Sequence, residues 1–193
     1  MVRRVVLALA LALAVGACAA PAPVVGTDLG GGPAPDFTLQ DALTGRSLAL
    51  TSLRGKAVVL TFLYTQCPDT CPLTAELLRV AQGTLGADAA RVELVAVSVD
   101  PDRDTPAAVR TFTDAHRLAT SWHYLVGRRE QLAPVWAAYG VRAAPDQGAP
   151  TVTHSDALFL IDPSGRERYL LHTDAGPDAL AAAMRATLNA TLK

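Results

Sequence analysis

Two stretches of this chain, KAVVLTFLY (56–64) and RVELVAVSVD (91–100), run apolar and β-branched with almost no polar alternation. A strand with one wet face alternates apolar and polar residues. A strand without that alternation must be covered on both faces, the usual state of parallel strands in an α/β sheet. The segment between them supports this reading. From Pro72, PLTAELLRVAQGTL places Leu73, Leu77, Leu78 and Val80 near helical spacing. The order is therefore strand, helix, strand, with both strands buried.

The rest of the chain continues the pattern and then changes it. TPAAVRTFTDAHRL opens with Thr105 as a helix N-cap and Pro106 at the first helical position. WHYLVG predicts a short strand, and REQLAPVWAAYG a helix interrupted or begun near Pro134 and closed by Gly140. VRAAPDQGAPTVT reads as a loop. SDALFLID, the turn PSGR and ERYLLH predict an antiparallel pair, and DALAAAMRATLNATL a closing helix. Upstream, DFTLQDALTGRSLAL alternates around Thr44-Gly45 and predicts a hairpin. The expected architecture is α/β, with a central mixed sheet flanked by helices, the layout of thioredoxin-like folds, preceded by an N-terminal β-hairpin extension. The 193 residues suffice for one domain with a real core. Aromatics make up only 5%, so Leu, Val and Ala must fill that core. The net charge is −1, with no basic patch and no like-charge run, which argues against a nucleic-acid partner.

The first residues read as a targeting signal. Arg3 and Arg4 form a positive start, and Val5 to Val15 an apolar run. That run is too short to span a bilayer, which needs about 20 residues. It ends in Gly16-Ala17-Cys18. Two small residues before a cysteine are similar to a bacterial lipobox. The expectation is a signal peptide over 1–17, a lipidated Cys18, a membrane-anchored protein on the periplasmic side, and loss of Arg3 and Arg4, taking the charge to −3. Residues 18–34, rich in Ala, Pro and Gly, then read as a flexible tether spanning about 20–25 Å and leaving the domain free to rotate. The folded domain is expected over 35–193, as a monomer. With Cys18 lipidated, two of the three cysteines remain, Cys67 and Cys71, in a compartment where disulfides persist.

Those two lie in YTQCPDTCPL, each before a proline. A residue before proline is pushed out of helical geometry, so 67–71 reads as a loop and Pro72 as the helix start. The free N–H groups there favour a thiolate, and Cys71, nearest the helix, is expected to gain most. Asp69, between the cysteines, opposes this. The spacing permits a disulfide and also leaves room for an ion between two sulfurs. Two thiolates select soft cations, Cu(I) or zinc, and a histidine would complete a three-ligand copper set. Of His116, His123, His154 and His172, only His154 ends the proline-rich loop ahead of the strand 155–161, where thioredoxin-like enzymes place a cis-proline facing the cysteine turn. Asp100, at a strand C-terminus, is the candidate to support the cysteine loop by hydrogen bonds. Tyr64 and Trp122 read as core.

LYTQCPDTCP (63–72), SVDPDRDTP (98–106) and THSDALFLIDPSGR (153–166), in that order and preceded by LRGKAVVLTF (53–62), resemble the Sco/SenC family of membrane-anchored copper chaperones. The resemblance covers about Pro35 to Lys193. It implies that Cys67 and Cys71 are thiolate ligands and His154 the imidazole ligand of one copper ion, Cu(I) or Cu(II). It implies delivery of copper from a donor protein to the copper-bearing subunit of cytochrome c oxidase. Alternatively, Cys67 and Cys71 act as a redox pair that keeps that subunit's cysteines reduced. Thr153 stands where family members often carry aspartate before the histidine.

Overall fold

The computed structural model describes residues 24–118, 121–145, 152–153 and 156–190. Its centre is the pair of apolar runs: β4 (Ala57–Leu63) and β5 (Val92–Ser98) lie side by side in parallel, Ala57 opposite Val92 and Leu63 opposite Ser98, every residue buried. In chain order the earlier strands are β1 (Thr27–Asp28), β2 (Thr38–Asp41) and β3 (Ser47–Ala49). The later ones are β6 (Trp122–Val126), β7 (Ala144–Pro145), β8 (Val152–Thr153), β9 (Leu158–Ile161) and β10 (Glu167–Leu171). Eight of them form one mixed sheet in the order β1-β10-β9-β4-β5-β6-β2-β3. β7 and β8 pair with each other, so the proline-rich loop contains a small hairpin.

The helices are α1 (Thr70–Gly83), α2 (Pro106–Ala115), α3 (Arg129–Ala138) and α4 (Pro177–Asn189). α1 and α4 pack together, and α4 also lies against β4, β9 and β10. α2 buries Val109 and Phe112, and α3 buries Leu132, Val135 and Trp136. This cover is why β4 and β5 need no polar face. α2 begins as expected: Thr105 is extended, its hydroxyl accepts the Ala108 N–H at 3.2 Å, and Pro106 follows. The hairpin turn over Thr44-Gly45 also forms, with β2 antiparallel to β3 and Gly45 at φ +71°. The thioredoxin-like architecture read from the sequence is the one observed.

Two expectations change. α1 starts at Thr70, so Cys71 lies in its first turn, and Leu73, counted among the apolar stripe, faces solvent with 62% exposure. More consequentially, residues 24–34 are not free tether. β1 zips antiparallel onto β10, Thr27 opposite Leu170 and Asp28 opposite Tyr169. The strap continues through Leu29 N–H to Arg168 O (2.9 Å), Gly31 N–H to Glu167 O (3.0 Å) and Ala34 N–H to Gly165 O (3.0 Å). The Arg166 guanidinium donates to Gly31 O at 2.8 Å. Gly26 sits at φ +127°, where an added Cβ would lie 2.7 Å from Leu170 O. These contacts are made by backbone, so small residues suffice. Among the described residues no helix is long and apolar enough to cross a membrane. The expected signal and Cys18 lie outside the described residues.

Candidate metal centre

The cysteine turn joins the C-terminal end of β4 to the start of α1. Its foundation is a buried carboxylate. Thr65 donates twice to Asp104 Oδ1, from its backbone N–H at 2.8 Å and its hydroxyl at 2.7 Å. Asp104 Oδ2 accepts from the hydroxyls of Ser98 (2.5 Å) and Tyr124 (2.9 Å). One carboxylate thus ties the turn to the end of β5 and to β6. Burial pushes the Asp104 carboxyl above the usual carboxylate range, and the donated hydrogen bonds act against that rise.

Asp104 is a residue the sequence reading passed over in favour of Asp100. Asp100 is buried too, but its carboxylate pairs with Arg103, whose guanidinium also lies over the Tyr64 ring at 5.9 Å. Of these two buried aspartates of DPDRDTP, Asp104, beside the N-cap, is the one that accepts from the turn. Asp69 is the exposed N-cap residue of α1, and its side chain makes no capping bond. Tyr64 and Trp122 are buried, as expected.

Neither Cys67 nor Cys71 is in a disulfide; the first is half-buried, the second sealed with 0% exposure. Their electrostatics are the reverse of the expectation from the helix start. Burial disfavours a Cys67 thiolate, but hydrogen bonds outweigh it and lower its pKa to about 7. They come from the Thr70 hydroxyl (Sγ to Oγ1 3.5 Å), the Asp69 N–H, the Cys71 thiol and the Cys71 N–H (3.3 Å). The Cys67 sulfur folds back over the first turn of α1 and collects the donors itself. Cys71 points into the core, where burial, the neighbouring Cys67 and the charge of Asp104 raise its pKa far above the ordinary thiol value. The arrangement is a partly exposed thiolate backed by a buried thiol that donates to it.

His154 lies outside the described residues. The other three histidines have different surroundings. His116 ends α2 and stacks on Phe112 with ring centroids 4.5 Å apart. His172 contacts Asp156 Oδ1 at 2.8 Å through Nδ1. His123 bridges Asp41 Oδ2 (3.0 Å) and Glu93 Oε2 (3.3 Å). Among the described residues no group of three or more His, Cys, Asp or Glu side chains gathers at metal-binding separation. Cys67 and Cys71 thus bring two sulfurs together in the turn between β4 and α1.

Comparison with known proteins places the chain in a family. The SCO1/SenC family model matches residues 31–189. Protein SenC of Rhodobacter capsulatus is 31% identical over 163 residues, 83% of this chain and 71% of the relative. Relatives from Stutzerimonas stutzeri and Bos taurus match over only 58% and 50% of their own lengths. Among solved structures, copper-bound ScoI of Bradyrhizobium japonicum superposes with a TM-score of 0.71 at 30% identity, covering 81% of this chain and 99% of that one. Apo Sco1 of Thermus thermophilus gives 0.74 at 29%, covering 86% and 98%. The chain is a member of the SCO1/SenC family.

Proposed function

We propose that this protein binds one copper ion through Cys67, Cys71 and His154, and carries it as a membrane-anchored metallochaperone to the CuA centre of cytochrome c oxidase. The observation that carries the reading is the unbridged cysteine pair, in which the Cys71 thiol already offers its proton to the Cys67 sulfur. A soft cation can take the place of that proton between two sulfurs. The similarity to a copper-bound ScoI supports the choice of copper. An imidazole from His154 completes a set suited to both oxidation states. Lipid on Cys18 holds the domain on the periplasmic face, between a copper donor and the oxidase subunit. Titration of the reduced protein is expected to give about one bound ion per chain and, with Cu(II), thiolate charge-transfer absorption. His154→Ala weakens Cu(II) binding far more than His116→Ala; equal effects reject the site.

The asymmetry of the pair favours a second reading, reduction of the client's cysteines. The accessible Cys67 thiolate attacks a client disulfide and forms a mixed disulfide, releasing one client thiolate. Cys71, once deprotonated, displaces the second. The client leaves with two thiols and the protein keeps a Cys67–Cys71 disulfide, two electrons having passed to the client. Tight copper binding by the reduced pair, with no turnover on oxidised client peptides, leaves the chaperone alone.

A further inference from the structure

The strap determines which end of the domain meets the membrane. β10 runs antiparallel to β9, which runs antiparallel to β4: Leu171 faces Leu158, and Leu158 faces Thr61. β10 therefore ends at the same end of the sheet as β4, the end that carries Cys67 and Cys71. β1 runs antiparallel to β10, so residues 24–26 lie at that end too, beside Leu170 and Leu171. Three strand spacings separate β1 from β4 across the sheet, about 14 Å.

From Val24 back to Cys18 the chain has only six residues, which reach at most about 21 Å when fully extended. A body of this size has a radius of gyration near 15 Å and is roughly 40 Å across. So short a leash cannot pass round the body. With Cys18 held in the bilayer, the opposite end, where the turns before β4 and β5 lie, is kept from the membrane. The only large hydrophobic side chains exposed among the described residues are Val25, 57% exposed, and Leu73, 62% exposed. Both lie at the cysteine end, Val25 on the strap and Leu73 in the first turn of α1.

We propose that the cysteine end of the domain, with Val25 and Leu73, faces the lipid surface, so that the metal-exchange turn works within a few nanometres of the membrane plane. The proposal rests on lipidation of Cys18. It restricts partners to those presenting their own exchange site close to the bilayer surface.

The test uses the full chain, processed in a bacterial host and reconstituted in bilayers containing an acceptor-labelled lipid. In a Cys67→Ser, Cys71→Ser background, a donor dye is attached through Leu73→Cys at the cysteine end or Ala87→Cys at the opposite end. Energy transfer to the lipid is expected to be severalfold higher from position 73. Inserting about 50 Gly/Ser residues between Pro23 and Val24, with an r.m.s. span near 40 Å, is expected to remove the difference. Equal transfer from the two positions in membrane-bound protein without the insert, or stronger transfer from 87, overturns the orientation while leaving the anchor intact. Failure of the protein to stay with membranes, with Cys18→Ala behaving as wild type and no lipid mass on Cys18, overturns the anchor and the orientation with it.

Discussion

Cys67 and Cys71 share a motif but not an environment. The thiolate-stabilising donors converge on Cys67, and burial seals Cys71. In the reduced, metal-free protein, alkylation of Cys67 by iodoacetamide is expected to reach half its maximal rate near pH 7, with Cys71 essentially unreactive until the fold opens. Peptide mapping by mass spectrometry distinguishes the two. Asp104 is the second residue on which the turn depends. Asp104→Ala leaves the Thr65 N–H and the hydroxyls of Thr65, Ser98 and Tyr124 without their shared acceptor. A loss of about 2–4 kcal/mol in urea unfolding is expected, together with weaker copper binding, whereas Asp69→Ala changes stability little. The cysteines were legible because spacing and proline neighbours are written in the chain. The direction of their pKa shifts was not, because it depends on where each sulfur points. Asp104 was missed for the same reason: DPDRDTP offers three aspartates, and only the fold shows that Asp104, not Asp100, accepts from Thr65.

At the scale of elements, the sequence was most informative where side chains alone dictate structure. The unbroken apolar runs gave β4 and β5, and Thr105-Pro106 gave the start of α2. Thr105→Ala is expected to cost about 1 kcal/mol, read from the urea midpoint. Contacts between elements were less visible. His123 on β6 joins Asp41 of β2 to Glu93 of β5, and Glu93 also pairs with Lys56. The hydrogen bonds to Asp41 and Glu93 raise the His123 pKa from 6.5 to about 9 against the opposing effect of burial. Such a histidine adds its stability in full below about 6.5 and loses it as pH rises through about 9. Burial alone would raise the pKa of Asp41 and Glu93; the hydrogen bond to His123, joined by Leu43 and Thr44 at Asp41 and by Lys56 at Glu93, prevails and holds both below their usual values. Their contribution fades on acidification. The deficit of His123→Gln relative to wild type is therefore expected to be greatest near pH 6 and to shrink by about pH 10, measured as the difference in urea midpoints. Nothing in the period-2 pattern of WHYLV announces that partner set, since Asp41 and Glu93 are far from His123 in the chain.

For the whole molecule, alternation of element types was enough to anticipate the sheet and its helical cover, and composition misjudged its first strand. Ala, Pro and Gly between Val24 and Pro35 supply no side-chain pattern, yet backbone hydrogen bonds hold them along β10. Gly26→Val, whose Cβ would meet Leu170 O and the Leu171 side chain, is expected to loosen the strap. Faster amide hydrogen exchange at Thr27 to Gly31, with the β4 and β5 amides unchanged, would register this. The strap also has a bearing on solubility. β10 would otherwise be an open border of the sheet, its unpaired amides and carbonyls a template on which a second molecule could add a strand. A protein trimmed to begin at Pro35 is expected to self-associate in concentrated solution, and one beginning at Val24 to stay dispersed. The stretch that looked like mere spacer thus doubles as a guard against fibre-like stacking.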